Sequence, residues 1–158
     1  MTRVDAERTE IEAAIPHRAP FLFIDRILER HADGLAAEWR VPLEAEWFRG
    51  HYPGEPVLPG VLLCEHVFQC AALFVASFRG APGPEDGIPV LTRIADARFR
   101  RIVRPGETLR SRVTLTEQVG PAFVFQGRSA VDGAPAVRLE FVLASTGGLA
   151  RGFAQGEA

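Results

Sequence analysis

Two ionisable side chains in the middle of the chain, His51 and Glu65, have residue types and surroundings that suit proton transfer. His51 lies in a turn-forming stretch that reads GHYPG, where glycine lets the backbone adopt conformations closed to other residues. Glu65 interrupts a long apolar segment that starts at Gly60. An imidazole held by such a loop suits a general base, and burial raises the pKa of a carboxyl group toward the range of a general acid. The two residues therefore predict acid–base chemistry.

Two further residues of the same segment extend this hypothesis. Gln69 lies four residues after Glu65, so both share one helix face, and Gln69 could hydrogen-bond Glu65 or a substrate. Gly60 follows Pro59 and opens the helix, whose first N–H groups lack an intrahelical acceptor and could stabilise an oxyanion. Simpler explanations stay open. His51 could be an ordinary loop residue, Glu65 could face solvent or an arginine of a second subunit, and Gly60 could only start the helix.

The other three histidines are weaker candidates for chemistry. His17 precedes Arg18 and is expected to brace the loop before the first strand. His31 falls in a polar turn. His66 is next to Glu65 but about 100° round the helix, so it should point elsewhere.

No pattern in the sequence predicts a metal or a bound cofactor. The chain contains neither HExxH nor CxxC, and its histidines, acids and cysteines lack the usual ligand spacing. It also contains no GxSxG elbow and no phosphate-binding glycine loop. Cys64 and Cys70 point to largely opposite sides of the predicted helix, so free thiols are expected rather than a disulfide.

Composition limits the class of protein and its partners. The chain has 158 residues, of which 47% are apolar and 24% charged, with a net charge of −2 and no lysine. These values fit one globular domain over residues 1–158 and give no reason to expect nucleic acid or a membrane as a partner. The N-terminus shows no signal peptide, so a cytoplasmic location is expected. Residues 1–10 and 147–158 should be flexible tails.

The pattern of apolar residues predicts an α+β fold. A short helix is expected over 11–15, and a second helix from Gly60 to Arg79 is apolar nearly all round, as a core helix is. Strands are expected over residues 21–28, 35–41, 89–99, 109–116, 122–131 and 136–145. Asp132-Gly133 is a strong hairpin signal, whereas residues 42–59 form a long loop rich in proline and glycine. An antiparallel sheet around one buried helix fits this order.

Three segments resemble motifs of one known family. GHYPGEPVLPGVLLCEHVFQ (50–69) is similar to the signature of the β-hydroxyacyl-acyl-carrier-protein dehydratases, in which GHFPG is followed by PGV and by an acid with glutamine four residues later. IPHRAPFLFIDRIL (15–28) resembles the opening segment of that family, and IADARFRRIVRPGETLRSRV (94–113) resembles one of its strands. The resemblance spans roughly residues 11–145, in the family's order.

The resemblance implies a hotdog fold, a curved antiparallel sheet wrapped around one long central helix. It also implies a homodimer with shared active sites, in which His51 of one subunit meets Glu65 of the other. The sequence leaves open whether such dimers assemble further into a trimer of dimers. The implied reaction is dehydration of a 3-hydroxyacyl thioester on the phosphopantetheine arm of acyl carrier protein, without another cofactor. Glutamate at position 65 is typical of general dehydratases rather than dehydratase-isomerases.

The same resemblance implies the role of each residue. His51 would remove the C2 proton, and protonated Glu65 would donate to the departing C3 hydroxyl. Gly60, Val61 and Gln69 would form the part of the site that binds the substrate and its oxyanion. The backbone N–H of Gly60 would hold the thioester carbonyl, and Gln69 would orient Glu65.

An arginine run could be the docking surface for the carrier protein, which is acidic. Its members are Arg98, Arg100, Arg101 and Arg104. Charge complementarity steers such transient encounters. A solvated strand face is an equally simple explanation.

Departures from the family's pattern bear on the substrate, and two rival functions fit the same fold. His66 and Cys70 stand where family members usually have alanine, and Ala19 where an aromatic is common, so the acyl tunnel could differ in shape.

One rival function is that of a thioesterase in which Glu65 activates water, although thioesterases of this fold usually lack the His51 loop. The other is a non-catalytic acyl-binding subunit, against which the presence of both His51 and Glu65 argues.

Overall fold

The structure is a computed structural model that describes residues 3–79 and 87–147. In chain order its elements are α1 (Arg3–Ala14), β1 (Arg26–His31), β2 (Gly34–Arg40), a short 3-10 helix η1 (Glu46–Arg49), α2 (Gly60–Arg79), β3 (Pro89–Phe99), β4 (Thr108–Val119), β5 (Ala122–Val131) and β6 (Ala134–Ser145). The strands form one sheet in the order β1-β2-β4-β5-β6-β3, and every neighbouring pair is antiparallel. Asp132 and Gly133, both with positive φ, form the tight turn between β5 and β6 that the sequence predicted.

The sheet has one apolar and one polar face, because successive side chains of a strand point to opposite sides. In β4, Leu109 and Val113 are fully buried, whereas Arg110 between them is exposed. The same alternation continues in β5, where Phe125 is buried and Gln126 is exposed. The apolar face forms the core, as the alternation in the sequence predicted.

Helix α2 is the central helix of the fold. It packs against β2, β3, β4, β5 and β6, so the sheet curves over it in a hotdog arrangement. Gly127 of β5 allows a close approach, since a Cβ there would lie 2.4 Å from Val67 Cγ1. The segment Gly60–Ser77 is long and apolar enough to cross a membrane, but 67% of it is buried inside the fold, as in a core helix.

The N-terminal part differs from the prediction. Helix α1 begins at Arg3, well before the expected start at Ile11. The strand predicted over 21–28 was wrong at its start, because residues 21–25 have no strand structure and β1 begins at Arg26. Of the predicted flexible tails, residues 1, 2 and 148–158 lie outside the described residues.

Side chains of α2 explain why the stretch before β1 is not a strand. The N–H of Phe23 donates to Gln69 Oε1 at 2.8 Å, and Gln69 Nε2 donates to the Phe21 carbonyl at 3.2 Å. His66 Nδ1 donates to the Phe23 carbonyl at 2.7 Å. These buried backbone groups therefore have partners without a sheet ladder. The stretch is tied instead to the helix that carries Glu65.

Candidate active site

Glu65 lines a pocket of about 230 Å³ beside α2. Apart from Glu65 and His17, all the lining residues are apolar: Pro16, Phe68, Ala72, Ile88, Pro89, Val90, Leu91 and Leu143. The Glu65 side chain keeps 22% of its surface exposed. A single carboxyl group is thus presented to a slot that is otherwise suited to a hydrocarbon chain.

Gln69 fixes the orientation of Glu65. The amide of Gln69 is fully buried, and because its Oε1 accepts from the Phe23 N–H, its Nε2 must be the donor. That Nε2 donates to Glu65 Oε1 at 3.0 Å and also to the Phe21 carbonyl. Glu65 Oε1 is thereby occupied as an acceptor, which leaves Oε2 as the oxygen that can carry a proton. The predicted contact between Glu65 and Gln69 is confirmed.

Burial raises the pKa of Glu65 above its ordinary value of 4.5. The hydrogen bond from Gln69 acts in the opposite direction, because it favours the carboxylate, but it is the smaller of the two effects. The carboxyl group therefore holds its proton to a higher pH than an exposed glutamate does. This direction is the one that a general acid requires.

His17 also lines this pocket, and sequence reasoning missed it. Its Nε2 lies 3.6 Å from Glu65 Oε1, which is too long for a hydrogen bond. Burial, together with the charge of Arg18, lowers the pKa of His17 below 6.5. The imidazole is therefore mainly neutral near pH 7, and its contact with Glu65 is not an ion pair there. Its Nδ1 is buried and has no hydrogen-bond partner within the described part of the chain.

Arg18, not His17, braces the loop before the first strand. The Arg18 guanidinium donates to the backbone carbonyls of Glu12, Ile15 and His17 at 2.7 to 2.8 Å. The bracing role predicted for His17 was therefore wrong. The signal that could have placed His17 in the site was the resemblance of segment 15–28 to a family motif.

The loop of His51 holds the imidazole in one orientation. His51 Nδ1 lies 2.9 Å from the Val57 carbonyl, which can only accept, so Nδ1 carries the proton. The other nitrogen, Nε2, is then free to accept a proton. In addition, the N–H of Val57 donates to the His51 carbonyl at 3.1 Å, and the Tyr52 ring stacks on the imidazole at 4.1 Å between centroids. The loop thus presents Nε2 as a base.

The start of α2 offers backbone N–H groups to a ligand. The Pro59 carbonyl accepts from the Leu63 N–H at 3.2 Å, so the N–H groups of Gly60 and Val61 precede the first full helical turn. A Cβ at Gly60 would lie 3.0 Å from the Phe99 ring, which explains the small residue there. Val61 is 74% exposed. An oxyanion site at this helix terminus stays a prediction.

Within one chain, the predicted site residues fall into two groups. Glu65 lines the pocket, and Gln69, which is buried behind it, is joined to it by a hydrogen bond. Gly60 and Val61 are not among the lining residues of this pocket. His51 is held by its own loop and is not among the residues that line the Glu65 pocket. A single chain therefore does not place the predicted base in the pocket of the predicted acid, and their meeting across two subunits stays a prediction.

Comparison with known proteins identifies the family. Residues 15–140 match the FabA-like domain. A protein named 3-hydroxyacyl-[acyl-carrier-protein] dehydratase FabZ, from Anaeromyxobacter dehalogenans strain 2CP-1, is 39% identical over 133 residues, which cover 84% of this chain and 85% of that protein. The chain belongs to the β-hydroxyacyl-acyl-carrier-protein dehydratase family. A protein of the same name from Rickettsia felis is 37% identical over 134 residues, with coverage of 84% and 91%.

A solved structure supports the fold of this family member. The dehydratase heterocomplex ApeI:P from Xenorhabdus doucetiae matches with a TM-score of 0.70 at 15% identity. The match covers 85% of this chain and 90% of that chain. At this level of identity it speaks for the fold alone, and the predicted hotdog is confirmed.

The arginine run predicted to dock a carrier protein is partly neutralised in this family member. Three of its residues pair with carboxylates: Arg98 with Asp96 at 2.7 Å, Arg101 with Glu107 at 2.5 Å and Arg104 with Glu55 at 3.2 Å. Among the described residues, Arg100 has no such pair. Carrier-protein docking on this run stays a prediction.

The two core residues that depart from the pattern of the family lie away from the pocket. His66 and Cys70 are both fully buried, and neither lines the pocket of Glu65. His66 packs near Trp39 and points away from Glu65, as predicted. Neither side chain lines this pocket, and their effect on the shape of the acyl tunnel stays a prediction.

Residues 3–79 and 87–147 contain no group of three or more His, Cys, Asp or Glu that could hold a metal ion. Cys64 and Cys70 are free and buried, as their spacing predicted. Burial raises the pKa of the Cys64 thiol to about 11. Neither cysteine is thus suited to act as a nucleophile.

Proposed function

We propose that this protein is a 3-hydroxyacyl-[acyl-carrier-protein] dehydratase, a hydro-lyase that converts 3-hydroxyacyl thioesters to trans-2-enoyl thioesters in fatty-acid biosynthesis. The observation that carries this proposal is Glu65, a carboxyl group of raised pKa that Gln69 holds in a pocket whose other lining residues, apart from His17, are apolar. Hydroxide is a poor leaving group, so the C3 hydroxyl must be protonated as it departs. A positioned acid beside a slot for an acyl chain meets this need.

The acid and the base act on neighbouring carbons. His51 Nε2 removes a proton from C2, and the electron pair of that C–H bond forms the C2–C3 double bond. The C3–O bond breaks while Glu65 donates its proton, so the hydroxyl leaves as water. The N–H of Gly60 hydrogen-bonds the thioester oxygen, on which negative charge develops. Return of the proton from His51 to Glu65 after product release restores the starting state.

His51 suits the role of base better than His17 does. The hydrogen bond from His51 Nδ1 to the Val57 carbonyl orients the ring and leaves Nε2 as the nitrogen that can accept a proton. Burial lowers the pKa of His17, which weakens it as a base. His17 Nε2 also lies only 3.6 Å from Glu65 Oε1, so it is next to the proposed acid, whereas the base must reach the neighbouring carbon.

We place the two halves of each site on different subunits of a homodimer. Strand β3 lies at the edge of the sheet and exposes Leu91, Ile94 and Phe99. An apolar edge strand offers unpaired backbone groups, and it is a natural pairing site for a second sheet. Leu91 also lines the Glu65 pocket, so a second subunit that pairs with this edge would reach the pocket. The His51 of that second subunit would then supply the base. Three such dimers would form the hexamer.

The substrate is proposed to arrive on the phosphopantetheine arm of an acyl carrier protein, and no other cofactor takes part. An acidic carrier could dock on the run from Arg98 to Arg104, in which Arg100 keeps its charge unpaired. The two free cysteines support a cytoplasmic location, and the net charge of −2 gives no reason to expect nucleic acid or a membrane as a partner.

Crotonyl-thioester hydration, the reverse reaction, tests this function in the wild type and in the variants His51→Ala and Glu65→Gln. Each variant should lose on the order of 10²–10⁴-fold in rate while its thermal midpoint stays close to that of the wild type. A wild-type protein that only hydrolyses saturated acyl thioesters would be a thioesterase instead. Full activity of His51→Ala would point to a site without this base.

Mixing the two inactive variants tests the shared site. A heterodimer contains one site with both substitutions and one site in which His51 and Glu65 are intact. We therefore expect activity to return to about half of the wild-type level per heterodimer. Heterodimers that form but stay inactive would show that each site belongs to a single chain.

A further inference from the structure

The outer face of the sheet, opposite α2, contains a groove of about 470 Å³ that is rich in arginine. The arginines that line it are Arg100, Arg110, Arg112, Arg128 and Arg138. The proposed chemistry uses none of them, and only Arg100 also belongs to the run proposed to dock the carrier protein. We infer that this groove binds a soluble ligand with adjacent phosphate groups, as in a nucleoside polyphosphate.

Three of these arginines, Arg112, Arg128 and Arg138, stand side by side across the sheet and are called the arginine row. Arg112 of β4 is paired in register with Arg128 of β5, which is paired in turn with Arg138 of β6. Arg98 of β3 continues the row beyond Arg138. Neighbouring strands are about 4.8 Å apart. Like charges directly opposite each other destabilise a sheet, so the fold itself gives no reason for this arrangement.

Nearby acids do not neutralise the row. They have other partners: Glu38 bonds to Arg26 and Arg110, Glu140 to Gln126, and Asp96 to Arg98. Within the described residues, no carboxylate lies within ion-pair distance of Arg112, Arg128 or Arg138. Three guanidinium groups therefore remain available to one anionic ligand.

The shape of the groove favours a small ligand. Gly133, in the turn between β5 and β6, and Pro135, at the start of β6, line one part of the groove, and Leu28 of β1 lines another. A volume of this size is ordinary for small-molecule sites, which are concave. A flat membrane or a protein surface would contact the rim of such a groove rather than its floor.

The chemistry of guanidinium favours phosphate. Each guanidinium offers a planar fork that binds phosphate oxygens through two hydrogen bonds. One phosphate group cannot neutralise three such charges, whereas two or three linked phosphates can. The row runs across the strands, so a linear polyphosphate would lie along that direction.

The row makes a second prediction about the free protein. Arg128 is the middle member and faces a like charge on both sides. Its replacement in Arg128→Gln should raise the thermal midpoint at low ionic strength, and added salt should shrink the gain because it screens the repulsion. The same substitution should weaken anion binding. Higher stability together with lost binding is the expected behaviour of a binding site.

Calorimetric titration with tripolyphosphate tests the proposal on the full-length protein. The wild type should bind the anion, and the double variant Arg128→Gln/Arg138→Gln should bind on the order of 10²-fold more weakly, at about tenfold for each lost charged contact. Arg30→Gln is the matched control, since it removes one charge from β1 at a residue that does not line the groove. It should keep the affinity of the wild type.

Four results would overturn the proposal. The first is that the wild type does not bind tripolyphosphate, and the second is that the double variant and the control lose equal affinity for it. The third is that the protein binds only vesicles of anionic phospholipid. The fourth is that the substitutions affect only the binding of the carrier protein. In the last case the double variant would raise KM for a carrier-bound substrate but keep its affinity for tripolyphosphate. Because the assay measures binding, its outcome is independent of whether the protein is a dehydratase.

Discussion

The central helix presents two different surroundings one residue apart, the pocket side at Glu65 and the core side at His66. Burial disfavours charge on both sides. It therefore raises the pKa of Glu65 and lowers the pKa of His66 to about 4. Both shifts favour the neutral form, but they carry opposite consequences for pH dependence and for chemistry.

The difference between the two residues lies in access. Glu65 keeps part of its surface open to the pocket, so its proton can reach a substrate. His66 is fully buried, with Nδ1 bonded to the Phe23 carbonyl and Nε2 without a partner in the described part of the chain. A perturbed pKa alone therefore does not identify a catalytic group. In the proposed mechanism the pocket gives the Glu65 shift a role in chemistry, whereas the His66 shift bears on stability alone.

The largest effect that we expect is a change in how the free energy of unfolding depends on pH when His66 is replaced, as in His66→Leu. Between its ordinary pKa of 6.5 and its folded pKa of about 4, His66 binds a proton in the unfolded state but not in the folded state. Stability of the wild type should therefore fall as the pH falls through this range, by about 3 kcal/mol for this residue. His66→Leu should lack that contribution. Urea unfolding over a pH series measures it.

The contribution of His66 is the difference in stability between the wild type and His66→Leu at each pH. Glu65 contributes with the opposite sign, because its raised pKa makes the folded state hold a proton more firmly, but this contribution is common to the wild type and His66→Leu. His31→Gln, which removes an imidazole from the edge strand β1, is the matched control. If His66→Leu loses as much stability as the wild type toward pH 4, the assignment of the effect to His66 is wrong.

A smaller effect is expected on the pocket side, in Gln69→Leu. The buried N–H of Phe23 would lose its acceptor, which should lower the free energy of unfolding by about 1–3 kcal/mol. Glu65 would lose the hydrogen bond that favours its carboxylate, so its pKa should rise further. The alkaline limb of kcat/KM, where the acid loses its proton, should then move to higher pH. An unmoved limb would mean that Gln69 is structural only.

Residue spacing within helix α2 was enough to predict the contact between Glu65 and Gln69. The four-residue separation of Glu65 and Gln69 places them on one helix face, and the structure shows their hydrogen bond. Apolar and polar residues likewise alternate along β4 in the sequence, and in the first half of the strand the structure buries the apolar ones. Both features depend on regular periods of a single element, so neighbouring residues suffice to infer them.

The conformation of the segment from Phe21 and the position of His17 depend on contacts between distant segments, which residue spacing does not reveal. The apolar run from Phe21 is compatible with a strand, and only the bonds from Gln69 and His66, more than forty residues away, decide against it. The same packing brings His17 to Glu65. No local pattern distinguishes such a histidine from one that braces a loop.

The smallest effect is expected from His17→Gln, and it separates two possible partners of Glu65. Neutral His17 adds no charge to the pocket and lies too far from Glu65 Oε1 for a hydrogen bond. Crotonyl-thioester hydration by this variant should thus fall by less than about tenfold, or roughly 1.4 kcal/mol in the barrier. A loss of about 10²-fold or more would instead be that of an acid–base residue. His17 would then be the imidazole that works with Glu65, and a site within one chain would need no His51 from a second subunit.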